Sequence, residues 1–300
     1  MEFLIILVAL GLHRLIPDLR LLHQDGWFFS WIKQLGEGPL TLPKFIVSLL
    51  LPTALMWLLG YLVAQWLGML GTTVFGLLVL LYCLGRGNLP ASLQTIEGHV
   101  EQEDRQAVFH DAMELEGEEL VLESVDGETT PVRDSDEELH QALLQNLSYR
   151  FFEHSFPVVF WFFLLGVPGA ILYRLSELQA NRKQSRDQAD EKCDDSDGIN
   201  CPSLNLAQRW LWLMEWVPVR ILGFTFALVG NFGCCMHHWK ECVVCPIRTT
   251  GQVLLHYVVG ALSADVDRAD IQVAELEAVH NLFHRAMVLW LCLIAFLVVL

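Results

Sequence analysis

Charge is scarce in this chain, and unevenly so. Only 18% of its 300 residues are Asp, Glu, Lys or Arg, whereas 53% are hydrophobic. Residues 45–84 carry no charged side chain, and Gln65 is the one amide among them. Basic residues are outnumbered 19 to 35, a balance that repels polyanions and excludes nucleic acid as a partner. Phosphate-binding glycine motifs are missing too: no GxxxxGK[ST] element occurs, and Gly85-Arg86-Gly87 is not a nucleotide cradle. Residues 194–197 lack the spacing of a calcium loop. Met1-Glu2 offers no basic region and no small-residue cleavage pair follows the apolar run 3–12, so this segment is expected to stay attached. No motif asks for a cofactor, and none is expected.

What remains is hydrocarbon. About twenty helical residues cross a bilayer core of roughly 30 Å, and the uncharged stretch 45–84 is long enough for two crossings. Spans are predicted over 45–63 and 68–84, joined by a tight turn near Gln65, Gly68 and Gly71. A third is predicted over 156–173, kinked by Gly166-Val167-Pro168-Gly169, and a fourth over 286–300. Residues 210–230 are apolar on average but contain Glu215, Pro218 and Arg220. The expected fold is all-α: a polytopic helical membrane protein with a large acidic extramembrane loop. It should comprise a membrane region with a helical hairpin (1–84), an acidic loop with an amphipathic helix (85–154) and a membrane region with polar loops (155–300).

The loop concentrates the charge. Residues 85–154 hold seventeen acids and four bases, a formal −13 of the chain's −16. Leu139, Leu143, Leu147 and Phe151 recur every four residues, which predicts an amphipathic helix leading into the third span. Residues 120–125 suit a short strand, 180–202 an exposed flexible loop, and Ile271, Leu276 and Val279 another amphipathic helix. Lys33, Lys44, Arg86 and Arg150 place the acidic loop in the cytoplasm. Arg174, Arg182, Lys183 and Arg186 argue for the opposite orientation.

Two segments carry candidate chemistry. Glu215-Trp216-Val217-Pro218-Val219-Arg220 sets both signs of charge around a proline inside an apolar run, a default functional site in membranes; the alternative is an interfacial helix whose charged side chains snorkel. The second segment is Cys234-Cys235-Met236-His237-His238-Trp239-Lys240-Glu241-Cys242-Val243-Val244-Cys245. Its Cys234, His237, His238, Cys242 and Cys245 are soft metal ligands, but the adjacent first pair departs from zinc-knuckle spacing. A disulfide, or plain packing by small thiols, explains the same residues.

These segments also carry a resemblance. Glu215 to Arg220, continuing through Ile221-Leu222-Gly223 and Ala227-Leu228-Val229-Gly230, resembles the AmpE family of inner-membrane proteins associated with β-lactamase regulation. More distantly it resembles the CobD/CbiB membrane proteins of cobalamin biosynthesis. A second block runs from Leu143-Leu144-Gln145-Asn146 through Arg150-Phe151-Phe152 to Phe160-Trp161-Phe162-Phe163-Leu164-Leu165-Gly166. The AmpE resemblance implies a multi-pass bacterial inner-membrane protein of cell-wall stress signalling, without a reaction of its own. It also implies a membrane or cytoplasmic protein partner, a cell-wall-derived ligand and the lipid bilayer around it. The cobalamin resemblance implies an amide-forming enzyme with Asn146, Glu215 and Arg220 in its site. Here Asn146 is followed by Leu147-Ser148-Tyr149-Arg150, without the Asp-Gly element that block carries in those enzymes.

Overall fold

The computed structural model describes residues 2–15, 25–34, 42–84, 89–102, 104–116, 136–190, 206–242, 249–263 and 272–299. The described residues are helical apart from short turns and links, in eleven segments. These are α1 (Glu2–Leu15), α2 (Gly26–Gln34), α3 (Leu42–Cys83), α4 (Leu89–Glu101), α5 (Arg105–Glu116) and α6 (Asp136–Leu165), followed by α7 (Val167–Asp190), α8 (Leu206–Val229), α9 (Phe232–Cys242), α10 (Thr250–Leu262) and α11 (Val273–Val299). Helices α3, α8 and α11 are long and apolar enough to cross a membrane. The protein is therefore an all-α, multi-pass membrane protein.

The chain forms two compact units. One contains Met1–Gly87, His154–Glu215 and Ile294–Leu300; the other contains Asn88–Glu153 and Trp216–Leu293. In the first, α3 packs against α1 and α7. Its uncharged sequence is not one rod: Gly68 has φ 64° and ψ −152°, a conformation open to glycine because it lacks a Cβ. A Cβ on Gly60 would lie 3.3 Å from Phe75 Cε1, although fifteen residues of straight helix would separate them by about 22 Å. The chain therefore doubles back at Gly68, as the sequence predicts. Trp66 and Leu70 flank the tip and are 83% and 81% exposed.

The predicted third span needs correction. Residues 156–173 do not form one kinked helix: α6 ends at Leu165, Gly166 takes φ 71°, and α7 begins at Val167. The Gly166 amide donates to the Phe162 carbonyl at 2.8 Å, closing the first helix. A Cβ on Gly169 would strike the Trp161 carbonyl, eight residues back and about 12 Å away along a straight helix. The chain turns sharply here, because a positive φ at Gly166 redirects the backbone where a proline kink would merely bend it. Helix α7 also runs on to Asp190, so residues 180–190 are helical and not a loop. Ala, Arg, Lys and Gln are good helix formers, and polarity alone does not break a helix.

In the second unit α4 packs on α5 and α9 on α10. Leu143 and Leu147 of the predicted amphipathic helix are buried on α6, as are Leu276 and Val279 on α11. Phe283 lies against both Phe151 and Phe226, and Trp290 Nε1 donates to Thr225 Oγ1 at 2.9 Å. These contacts bind α11 to α6 and α8. The suggested strand at 120–125 and the residues 264–271 lie outside the described residues.

Candidate functional site

Helix α7 forms the polar spine of the first unit. Tyr173, Arg174, Ser176, Glu177 and Gln179 are all buried on it, around more than one face. Tyr173, Arg174, Ser176 and Gln179 are each matched by another element, and Glu177 by Arg174. Tyr173 donates its hydroxyl to Glu215 Oε1 at 3.3 Å, Trp210 Nε1 donates to Ser176 Oγ at 3.0 Å, and Gln179 Nε2 donates to Ser48 Oγ at 3.0 Å. Arg174 is 2% exposed. Its Nη1 donates to both Glu177 oxygens at 2.8 Å, and its Nη2 lies 3.6 Å from Asp25 Oδ2. Asp25 starts α2, its backbone carbonyl accepting from the Phe28 amide at 3.0 Å. Its Oδ1 accepts from the Tyr82 hydroxyl at 2.7 Å, and Trp27 Nε1 donates to Tyr82 Oη at 3.2 Å. Charge buried this deeply is expensive unless paired, so the sites of these residues are tightly determined.

The predicted motif of α8 contributes to both units. Glu215 is 2% and Arg220 7% exposed, so both side chains are enclosed by protein. Glu215 meets Tyr173 in the first unit. In the second, Arg220 donates from Nη2 to the Cys242 carbonyl at 3.3 Å and stacks over Trp216, its guanidinium carbon 4.8 Å from the ring centre. Trp239 Nε1 donates to the Arg220 carbonyl at 2.9 Å. Pro218, lacking an N–H, cannot donate to the carbonyl of Met214 four residues back. That carbonyl accepts instead from Trp161 Nε1 at 3.2 Å. The indole thereby makes up for the donor that the proline removes. Asn146 lies half-buried on α6, between buried Leu144 and Leu147, in the same unit as Arg220.

The cysteine and histidine segment forms α9. Cys234 is exposed, and Cys235 and Cys242 are buried. The Cys235 thiol lies against the carbonyls of Gly223 and Tyr257 at 3.7 and 3.6 Å. His238 stacks on His256 and meets His237 edge-on, with ring centres 6.0 and 5.9 Å apart. Among the described residues no three His, Cys, Asp or Glu side chains are grouped to hold a metal ion. Cys245 lies outside them.

Sequence reasoning missed Arg174, Asp25 and Glu177. Arg174 reads as a basic flank, because it follows an apolar run and precedes Arg182 and Lys183. A signal was present in residues 173–179, where polar positions alternate irregularly with Leu175 and Leu178 and leave no wholly polar face for solvent.

Long apolar helices, two glycine-governed reversals and ionisable groups paired inside the helix packing define a multi-pass helical membrane protein with buried polar cores. The chain belongs to the family of the regulatory signalling modulator protein AmpE, whose model matches residues 1–300. No curated protein and no solved structure matches it. It is accordingly an inner-membrane protein with a regulatory signalling role.

Proposed function

We propose that the chain is a non-enzymatic membrane component of cell-wall stress signalling that acts on β-lactamase induction. The family match over residues 1–300 carries this reading. Its buried ionisable groups support it: Arg174 is engaged by Glu177 and Asp25, Glu215 by Tyr173, and Arg220 by a backbone carbonyl and an indole ring. Such groups set the conformation of a bundle. Signal output is assigned to the acidic segment 97–138, which contains the end of α4, all of α5 and the start of α6. As an acidic extramembrane loop it would take a basic face of a membrane or cytoplasmic protein, and the input would be a cell-wall-derived ligand.

Photocrosslinking in native membranes tests the reading. Probes placed in α5 should capture a partner protein, and removal of residues 117–135 should abolish both capture and β-lactamase induction. Unchanged induction after that removal would refute the assigned role.

A further inference from the structure

In the first unit, the end of α6 and the start of α7 fold back on each other. Trp161 and Tyr173 lie on either side of Gly166, and twelve residues of straight helix would hold them about 18 Å apart. Yet Trp161 reaches the Met214 carbonyl and Tyr173 reaches Glu215, which are neighbours on α8. A Cβ on Gly169 would also strike the Trp161 carbonyl. The apex therefore sits at Gly166, and Leu164 and Leu165 beside it are exposed.

Both arms run towards the open end of the α3 hairpin. On α7, Arg174 interacts with Tyr82 and Cys83 at the end of α3, and Gln179 bonds Ser48 near its start. Helix α1 is the ruler for α6. A Cβ on Gly166 would lie 3.9 Å from Glu2, a Cβ on Gly76 would meet Ile5 at 3.2 Å and Phe162 at 3.8 Å, and the His13 and His154 rings are 4.9 Å apart. Helix α1 packs on α3, whose tip is bare at Trp66, Leu67, Met69 and Leu70, so His13 and His154 lie towards the open end.

His154 to Gly166 covers about 18 Å and Gly166 to Gln179 about 20 Å, each short of a hydrocarbon core of roughly 30 Å. Neither α6 nor α7 is among the helices long and apolar enough to cross. The apex also serves its own polar groups. The Gly166 amide donates to Phe162, its carbonyl accepts from Gly169 and Ala170 at 3.1 and 3.4 Å, and Pro168 has no N–H to satisfy. Irregular backbone served in this way is tolerated at membrane depth.

We propose that α6 and α7 form a re-entrant hairpin that dips into one leaflet and returns, so that the acidic segment before His154 and the polar end of α7 after Gln179 face the same aqueous compartment. The basic residues then agree. Arg174 is buried and paired, so it is no flank, and Arg182, Lys183 and Arg186 fall on the same side as Lys44, Arg86 and Arg150. Independently of the signalling reading, any partner of the acidic segment meets the end of α7 on that face.

Paired cysteine labelling in the full-length, cysteine-depleted protein tests the sidedness. Ser124→Cys and Ser185→Cys are treated with an impermeant maleimide on intact cells and again after permeabilisation. Both should be protected at first and labelled several-fold more afterwards; labelling of both in intact cells would reverse the orientation and keep the hairpin. Labelling of one with protection of the other overturns the proposal. Leu165→Cys, at the apex, should resist the impermeant reagent in both conditions and react with a membrane-permeant one, whereas reaction from the face opposite positions 124 and 185 would show two full crossings and overturn it too. Where cysteine depletion prevents assembly, or a position stays unreactive after permeabilisation, a protease-cleavable epitope inserted there in the protein with its native cysteines gives the same readout. β-Lactamase induction does not enter the measurement, so failure of the signalling reading leaves these outcomes untouched.

Discussion

Replacing Arg174 with Met is the sharpest test of the packing. The substitution keeps a long unbranched side chain but removes the cation that Glu177 and Asp25 contact. Glu177 then remains 5% exposed with both oxygens deprived of their donor. Breaking a buried pair on one side costs about 3–5 kcal/mol, a large share of the roughly 5–15 kcal/mol that stabilises a folded domain. Membrane abundance should fall several-fold, and unfolding in mild detergent should shift to lower temperature. Lys33→Ala, at an exposed position of α2, should stay within about 0.5 kcal/mol of wild type. Adding Glu177→Gln to the Arg174 variant removes the stranded carboxylate and should restore part of the loss, which a simple packing defect would not allow. Wild-type abundance and melting in Arg174→Met would refute the claim that this pair holds the first unit together.

Further tests address the other elements. Arg220→Ala should reduce abundance more than Arg209→Ala, whose side chain is exposed; immunoblotting beside an induction assay separates structure from site, since normal level with lost induction marks a site. Trp161→Phe removes the donor that serves the Met214 carbonyl and should cost about 1–2 kcal/mol in thermal unfolding; in a Pro218→Ala background the helix regains its own donor, so the same change should cost less. Burial, followed by the charges of Glu277 and Glu101, raises the Glu97 carboxyl above its usual range. Ionisation of Glu97 thus opposes folding, stability falls as pH rises through that range, and Glu97→Gln should stabilise by less than about 0.5 kcal/mol at neutral pH and not at all in acid. For topology, single cysteines at positions 124 and 185 can be labelled with an impermeant reagent on intact cells. A cytoplasmic acidic loop predicts no labelling of Ser124→Cys before lysis, and labelling there would reverse the orientation.

The parts of this fold that were legible in the sequence depend on local chemistry. The reversal within 42–83 follows from forty uncharged residues interrupted by Gly68, because a helix that long cannot stay in hydrocarbon without turning back. The buried stripe of α6 follows from a four-residue period. The sequence marks Gly166 as a weak point but does not show the size of its effect: whether glycine and proline bend a helix or reverse it depends on the φ that packing imposes, and that is not encoded at the site. The extension of α7 through residues 180–190 is hidden by its polarity, although those residues favour helix.

The charges of the site were legible to different depths on α8 and on α7. Glu215 and Arg220 declare themselves, since ionisable residues in an apolar run need an explanation wherever they occur. Their partners do not. Tyr173 lies 42 residues before Glu215, and the carbonyl that receives Arg220 belongs to Cys242, 22 residues after it. A search for an i, i+4 pair within the motif could find neither. Arg174 was harder still, because the residues that neutralise it come from positions 25 and 177, and a hydropathy profile scores arginine identically at a wet interface and in a salt-bridged core. What separates the two cases is whether the rest of the helix offers a face to water. Leu175 and Leu178 are buried along with Arg174 and Glu177, so this part of α7 offers none. The charges at 174 and 177 therefore have to be answered by protein, and that requirement brings Asp25 and Tyr82 into the core.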